Sequence, residues 1–157
     1  MKEKPCCFTG HRKIPPEQLF EITRRLKDKI NNLISDGYTC FLTGGALGFD
    51  TIAAEVIIEY KNTNPDIQLI LALPCRTQAD KWLDEDKARY ELIKKKSDQV
   101  LYISDEYTRG CMFKRNRYLI DNSTVCICYL TSEKGGTAYT VGYAKSKNLT
   151  VINLAEK

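Results

Sequence analysis

The sequence predicts an α/β fold, a mainly parallel sheet of about six strands with helices on both faces. Three observations carry this. Six short runs are apolar almost without interruption, as strands covered on both faces are. The stretches between them are longer and amphipathic, most with apolar residues recurring every three or four positions. The two patterns alternate along the chain, the order that crossover connections between parallel strands produce.

The strand candidates are residues 5–9, 38–43, 68–73, 99–103, 124–130 and 150–154. Between the first two, Leu19, Ile22, Leu26, Ile30, Leu33 and Ile34 recur at helical spacing, and Gly37 follows as a stop. A second helix carries Phe49, Ile52, Ala53, Val56 and Ile57 on one face. A third, highly charged, is expected from Asp80 to about Lys96, with Trp82, Tyr90 and Ile93 as its apolar points. Shorter helices are expected over residues 111–122 and 136–147. There is no repeat, low-complexity segment or linker, so residues 1–157 are read as one domain.

Composition narrows the class. Hydrophobic residues make up 43% and charged residues 28%, the balance of a soluble globular chain. The net charge of +4 is scattered along the sequence, so it permits an anionic ligand without favouring nucleic acid. No targeting segment is read at the N-terminus, and no apolar run approaches the ~20 residues of a membrane span. A cytoplasmic protein without a membrane partner is expected. The seven cysteines contain no Cys-x-x-Cys pair, and Cys6-Cys7 and Cys126-x-Cys128 lack zinc spacing. They are read as small core residues in a reducing compartment, with no metal.

Ligands of open parallel sheets bind outside the carboxyl ends of the strands. Six of the nine glycines, Gly10, Gly44, Gly45, Gly48, Gly135 and Gly136, fall at or just after three such ends. Glycine there lets a backbone approach a ligand, and the following helix N-terminus favours an anion. At the first end, Thr9-Gly10-His11-Arg12, the arginine can fork onto a phosphate or carboxylate and the histidine can donate to it, or the segment is a plain turn. At the second, Thr43-Gly44-Gly45-Ala46-Leu47-Gly48-Phe49-Asp50, the aspartate either caps the helix or accepts from a ribose hydroxyl. At the third, Gly135-Gly136-Thr137, the threonine bonds a phosphate oxygen or caps. Gln78 and Trp82 lie four apart, on one face of the expected third helix. There Trp82 either stacks on a base or packs. Arg115 and Arg117 lie two apart, so they point in different directions and one at most faces a ligand.

In this order the segments resemble the SLOG superfamily, and specifically its small YpsA-like single-domain group. The residues that carry the likeness are Cys7-Phe8-Thr9-Gly10-His11-Arg12, Gly44 to Asp50, Gln78 with Trp82, Arg115-Asn116-Arg117, and Gly135-Gly136-Thr137. The superfamily also holds DprA (Smf) and the Lonely Guy phosphoribohydrolases. The resemblance implies a Rossmann-like three-layer αβα sandwich, a nucleotide-derived ligand, Arg115 as the arginine that faces it, and a homodimer. Lonely Guy enzymes carry a glutamate in their third loop where this chain has Thr140, whose hydroxyl cannot replace a carboxylate. Asp50 and Asp121 are the alternative carboxylates. The function expected is therefore binding of a nucleotide, phosphoribosyl or ADP-ribose-like ligand by a sensor or regulatory module. Its catalytic residues are unassigned, and no cofactor beyond that ligand is expected. The alternatives are nucleotide N-glycosidase activity and DprA-like binding of single-stranded DNA.

Overall fold

The computed structural model describes residues 4–156. Its strands are β1 (Pro5–Gly10), β2 (Cys40–Thr43), β3 (Gln68–Leu73), β4 (Gln99–Tyr102), β5 (Val125–Tyr129) and β6 (Thr150–Asn153). Its helices are α1 (Pro16–Ser35), α2 (Phe49–Lys61), α3 (Asp84–Lys96), α4 (Cys111–Asp121) and α5 (Gly136–Ser146). All six strands join one parallel sheet in the order β4-β3-β2-β1-β5-β6. The chain steps outward from β1 to β4, crosses back, and lays β5 against the other side of β1. Strand order thus reverses between β1 and β5, and such a switch point opens a crevice at the carboxyl ends.

Side-chain alternation along the strands builds two cores. Cys6, Phe8, Phe41, Leu69, Leu71 and Ile127 pack with the buried faces of α1, α2 and α3. Cys7, Cys40, Leu42, Ala72, Cys126 and Cys128 pack on the other face with Leu119 and Ile120 of α4 and Val141 and Ala144 of α5. Cysteine and alanine keep that second face thin. All seven cysteines are buried, in line with their reading as small core residues. Burial pushes the Cys6 thiol well up and the Cys128 thiol to about 12, so neither is a nucleophile at neutral pH.

The elements expected from periodicity are present, with small shifts at their ends. The edge strands β4 and β6 are only half-buried, because each has a neighbour on one side. The third helix differs most. It begins at Asp84, and residues 76–82 form turns instead of its first residues. Leu83 is extended at the N-cap, and Asp84, Glu85 and Asp86 occupy the first turn, where negative charge complements the helix dipole. The acidic run is the start signal for α3. The apolar spacing of Trp82 reflects packing from a turn.

Removing the buried Leu26 side chain of α1 by Leu26→Ala is expected to cost about 2–5 kcal/mol. Phe20→Ala, on the same helix but 81% exposed, is expected to stay within about 0.5 kcal/mol of wild type. Urea unfolding of the two variants checks both values.

Candidate functional site

The switch-point crevice has a volume of about 380 Å³, within the size range of small-molecule sites. Its walls come from the exits of β1, β2 and β5 and from the first turns of α2, α4 and α5.

The β1 exit supplies Thr9, Gly10, His11 and Arg12. It is stitched to both neighbours. The His11 N–H donates to the Tyr129 carbonyl at 3.3 Å, and the His11 carbonyl accepts from the Phe49 N–H at 3.1 Å. The His11 ring meets Tyr129 edge-on, with centroids 5.7 Å apart. Its Nε2 accepts from the Thr131 N–H at 2.9 Å. A ring nitrogen that accepts carries no proton, so this imidazole is neutral with its proton on Nδ1. Burial also lowers its pKa, in the same direction. Arg12 is exposed at the rim.

The floor is charged. Arg115 is only 5% exposed. Its Nη1 donates to the Gly44 carbonyl and its Nε to Asn116 Oδ1 at 2.8 Å, while Nη2 lies 3.7 Å from the Met112 sulfur. A thioether is a weak acceptor. Burial lowers the Arg115 pKa against the opposing field of Asp50, yet a guanidinium stays charged at any physiological pH. Asp50 is buried beside it, and its Oδ2 accepts from the Ala46 N–H at 3.2 Å. Burial pushes the Asp50 carboxyl up to about 6, against the pull of Arg115 and the Ala46 N–H. Asp50 does not cap α2, since Gly48 is the N-cap and no side chain caps that end. It closes the loop before the helix. Among the described residues that line the crevice, Asp50 is the one carboxylate.

The far wall is the start of α5. Gly135, Gly136 and Thr137 line it, with no side chain capping the helix and no acidic residue in its first turn. Lys134 stands at its edge. Thr140 faces away, donating from Oγ1 to the Gly136 carbonyl at 2.9 Å, and is buried.

Of the second glycine turn, Ala46 and Asp50 line this crevice and the three glycines do not; the glycines act by making room. A Cβ at Gly44 would stand 2.6 Å from Arg115 Nη1, so only glycine admits the guanidinium there. Gly48 has φ +78°, and a Cβ on it would overlap the Arg12 carbonyl. Gly45 sits against Leu73 and Tyr90. Gln78 and Trp82 are also away from the crevice. Gln78 Nε2 donates to the Tyr90 hydroxyl at 3.2 Å and to the Gly45 carbonyl at 3.4 Å. Trp82 packs edge-on against Tyr90, with centroids 5.1 Å apart. The pair braces the Gly44-Gly45 turn from behind.

The two arginines of α4 point in different directions. Arg115 reaches the crevice, and Arg117 points outward to the Tyr139 hydroxyl at 3.0 Å. Sequence reasoning missed Met112 and Phe113, which also line the crevice. A signal existed. Met112 lies three and four positions before Arg115 and Asn116, and Phe113 three before Asn116, spacings that put them on one side of α4.

A parallel sheet in this order, with its crevice at the switch point, defines a Rossmann-like α/β domain. Residues 9–153 match the model of the YspA SLOG family, and the chain belongs to that family. It is 30% identical over 142 residues to the uncharacterized SPbeta prophage-derived protein YoqJ of Bacillus subtilis (strain 168), covering 80% of this chain and 83% of that one. Its fold is similar to that of DNA processing protein A from Helicobacter pylori, a structure described for its single-stranded DNA binding mode. The TM-score is 0.64 at 21% identity, over 96% of this chain and 64% of that one. It is also similar to DprA from Streptococcus pneumoniae, with a TM-score of 0.68 at 15% identity, over 94% of this chain and 49% of that one. Among the described residues no helix is long and apolar enough to cross a membrane.

Two predictions test this geometry. Gly44→Ala is expected to displace the Arg115 guanidinium and cost about 1–3 kcal/mol in urea unfolding. Asp50 has a folded pKa of about 6 against an ordinary value of 3.8, so its neutral form suits the fold. Its contribution is fully present below about pH 4 and is lost as pH rises through 6. Wild type is therefore expected to lose up to about 3 kcal/mol relative to Asp50→Asn between pH 4 and pH 7.5, measured by denaturant unfolding of both proteins.

Proposed function

We propose that the crevice binds the phosphate of a nucleotide or nucleotide-derived ligand, phosphoribosyl or ADP-ribose-like, and that the chain serves as a sensor or regulatory module. The observation that carries this is the state of Arg115. A buried guanidinium is costly to desolvate and is normally paired. Here one nitrogen meets only a thioether, at the floor of an open crevice. A phosphate oxygen would complete its donor set by a charge-assisted bond. Arg12, Lys134 and the uncapped start of α5 add positive potential on the same opening. Thr140 is turned into the α5 backbone, and Asp50 is held by a backbone N–H. Binding thus has more support than catalysis.

A second reading, single-stranded DNA, is favoured by Arg12. It borders both this crevice and a neighbouring cleft that Gly48, Thr51 and Arg89 line. The two openings with a shared arginine suit successive phosphates of a strand. The likeness of fold to a protein described for single-stranded DNA binding points the same way.

Thermal shift across inorganic phosphate, ribose 5-phosphate, AMP, ADP and ADP-ribose tests the first reading. Wild type is expected to gain stability with at least one of them. Arg115→Lys keeps the charge but loses the fork, and is expected to weaken that ligand about 10- to 100-fold. No shift with any of the five rejects the reading. Anisotropy of labelled oligo-dT tests the second. An affinity that falls steeply with salt supports it, and a flat or absent response removes it.

A further inference from the structure

The crevice has an apolar side as well as a charged one. Met112 and Phe113, from the first turn of α4, line it opposite the polar residues of the β1 exit. Phe113 is 43% exposed, and its neighbour Tyr139 on α5 is 42% exposed. Their rings meet edge to face, with centroids 4.9 Å apart and planes at 74°. The Tyr139 hydroxyl accepts from Arg117 Nη1 at 3.0 Å. Two residues therefore hold the orientation of the Phe113 ring.

Packing of α4 on α5 does not explain this pair. Leu119, Ile120, Val141 and Ala144 already form a buried contact between the helices and the sheet. Phe113 and Tyr139 lie outside that cluster, half in solvent, where large aromatic surface gains little from burial. A T-shaped pair covers at most one face of either ring and leaves the other for a further π-system. The ring so presented belongs to the same opening as Arg115, two residues further along α4.

We propose that Phe113, braced by Tyr139 and Arg117, is the stacking platform for the planar base of a nucleotide whose phosphate is held by Arg115 and the α5 start. The proposal rests on the phosphate reading above and adds the ligand class. The site takes nucleotides, tolerant of base identity because every base has a π-face, in preference to bare sugar phosphates. It also gives Arg117 a positioning role, acting through Tyr139 and not on the ligand.

Calorimetric titration with AMP and with ribose 5-phosphate separates the two layers, because the second ligand lacks only the base. Wild type is expected to bind AMP about tenfold or more tightly than ribose 5-phosphate. Phe113→Leu keeps an apolar side chain at this half-exposed position but has no ring. It is expected to lose that margin for AMP while leaving ribose 5-phosphate affinity unchanged. Phe113→Trp is expected to retain it. If wild type binds both ligands equally, or Phe113→Leu changes neither affinity or both alike, the stacking platform is refuted while the phosphate reading stands. If neither ligand binds to wild type, the phosphate reading fails and the platform with it.

Discussion

The Arg115 guanidinium is the constraint around which the site is arranged. A charge taken out of water must be compensated by its surroundings. Here the compensation comes from its neighbour on α4 and from the distant segment that leads from β2 into α2. Gly44, at the exit of β2, offers a carbonyl; Asn116, next along α4, offers an amide oxygen; Asp50, in the first turn of α2, offers a nearby negative charge when ionised. Each donor or acceptor fixes the position of another element. The site is therefore continuous with the structure that holds the β1, β2 and α4 segments in register.

That arrangement divides the three glycine turns by role. The first and third present backbone to the crevice. The glycines of the second make room for the arginine, while its Ala46 and Asp50 line the crevice. Its own support comes from further back, through Gln78 and the Tyr90 ring that Trp82 packs against. A line of contacts thus runs from a turn after β3 to the guanidinium. Residues that look like ligand contacts by type serve here as its scaffold.

Asp50 and Thr140 define the chemical character of the opening. Burial pushes the Asp50 carboxyl up to about 6, so the electrostatic balance with Arg115 varies with pH. Thr140 carries its hydroxyl back onto the α5 backbone. The crevice is rich in donors, and Asp50 and His11 are its carboxylate and imidazole. The Phe113 side adds apolar surface to an otherwise polar mouth.

Much of the fold was legible in the sequence, because continuous apolar strands and helical spacing leave little choice beyond a parallel sheet with two covered faces. The family was legible too, from the ordered glycine turns and the Arg-Asn-Arg segment. The start of α3 was misplaced, because Trp82 satisfies helical periodicity from a turn. Local chemistry alone determined which residue types stand at the strand ends. Strand order decided which of those ends meet. It set β1 beside β5 and made their exits one crevice, to which the β2 exit adds Ala46 and Asp50. Which side chains face the opening is a property of that assembly, since the pocketing of Arg115 by Gly44 joins positions 71 residues apart that no local pattern relates.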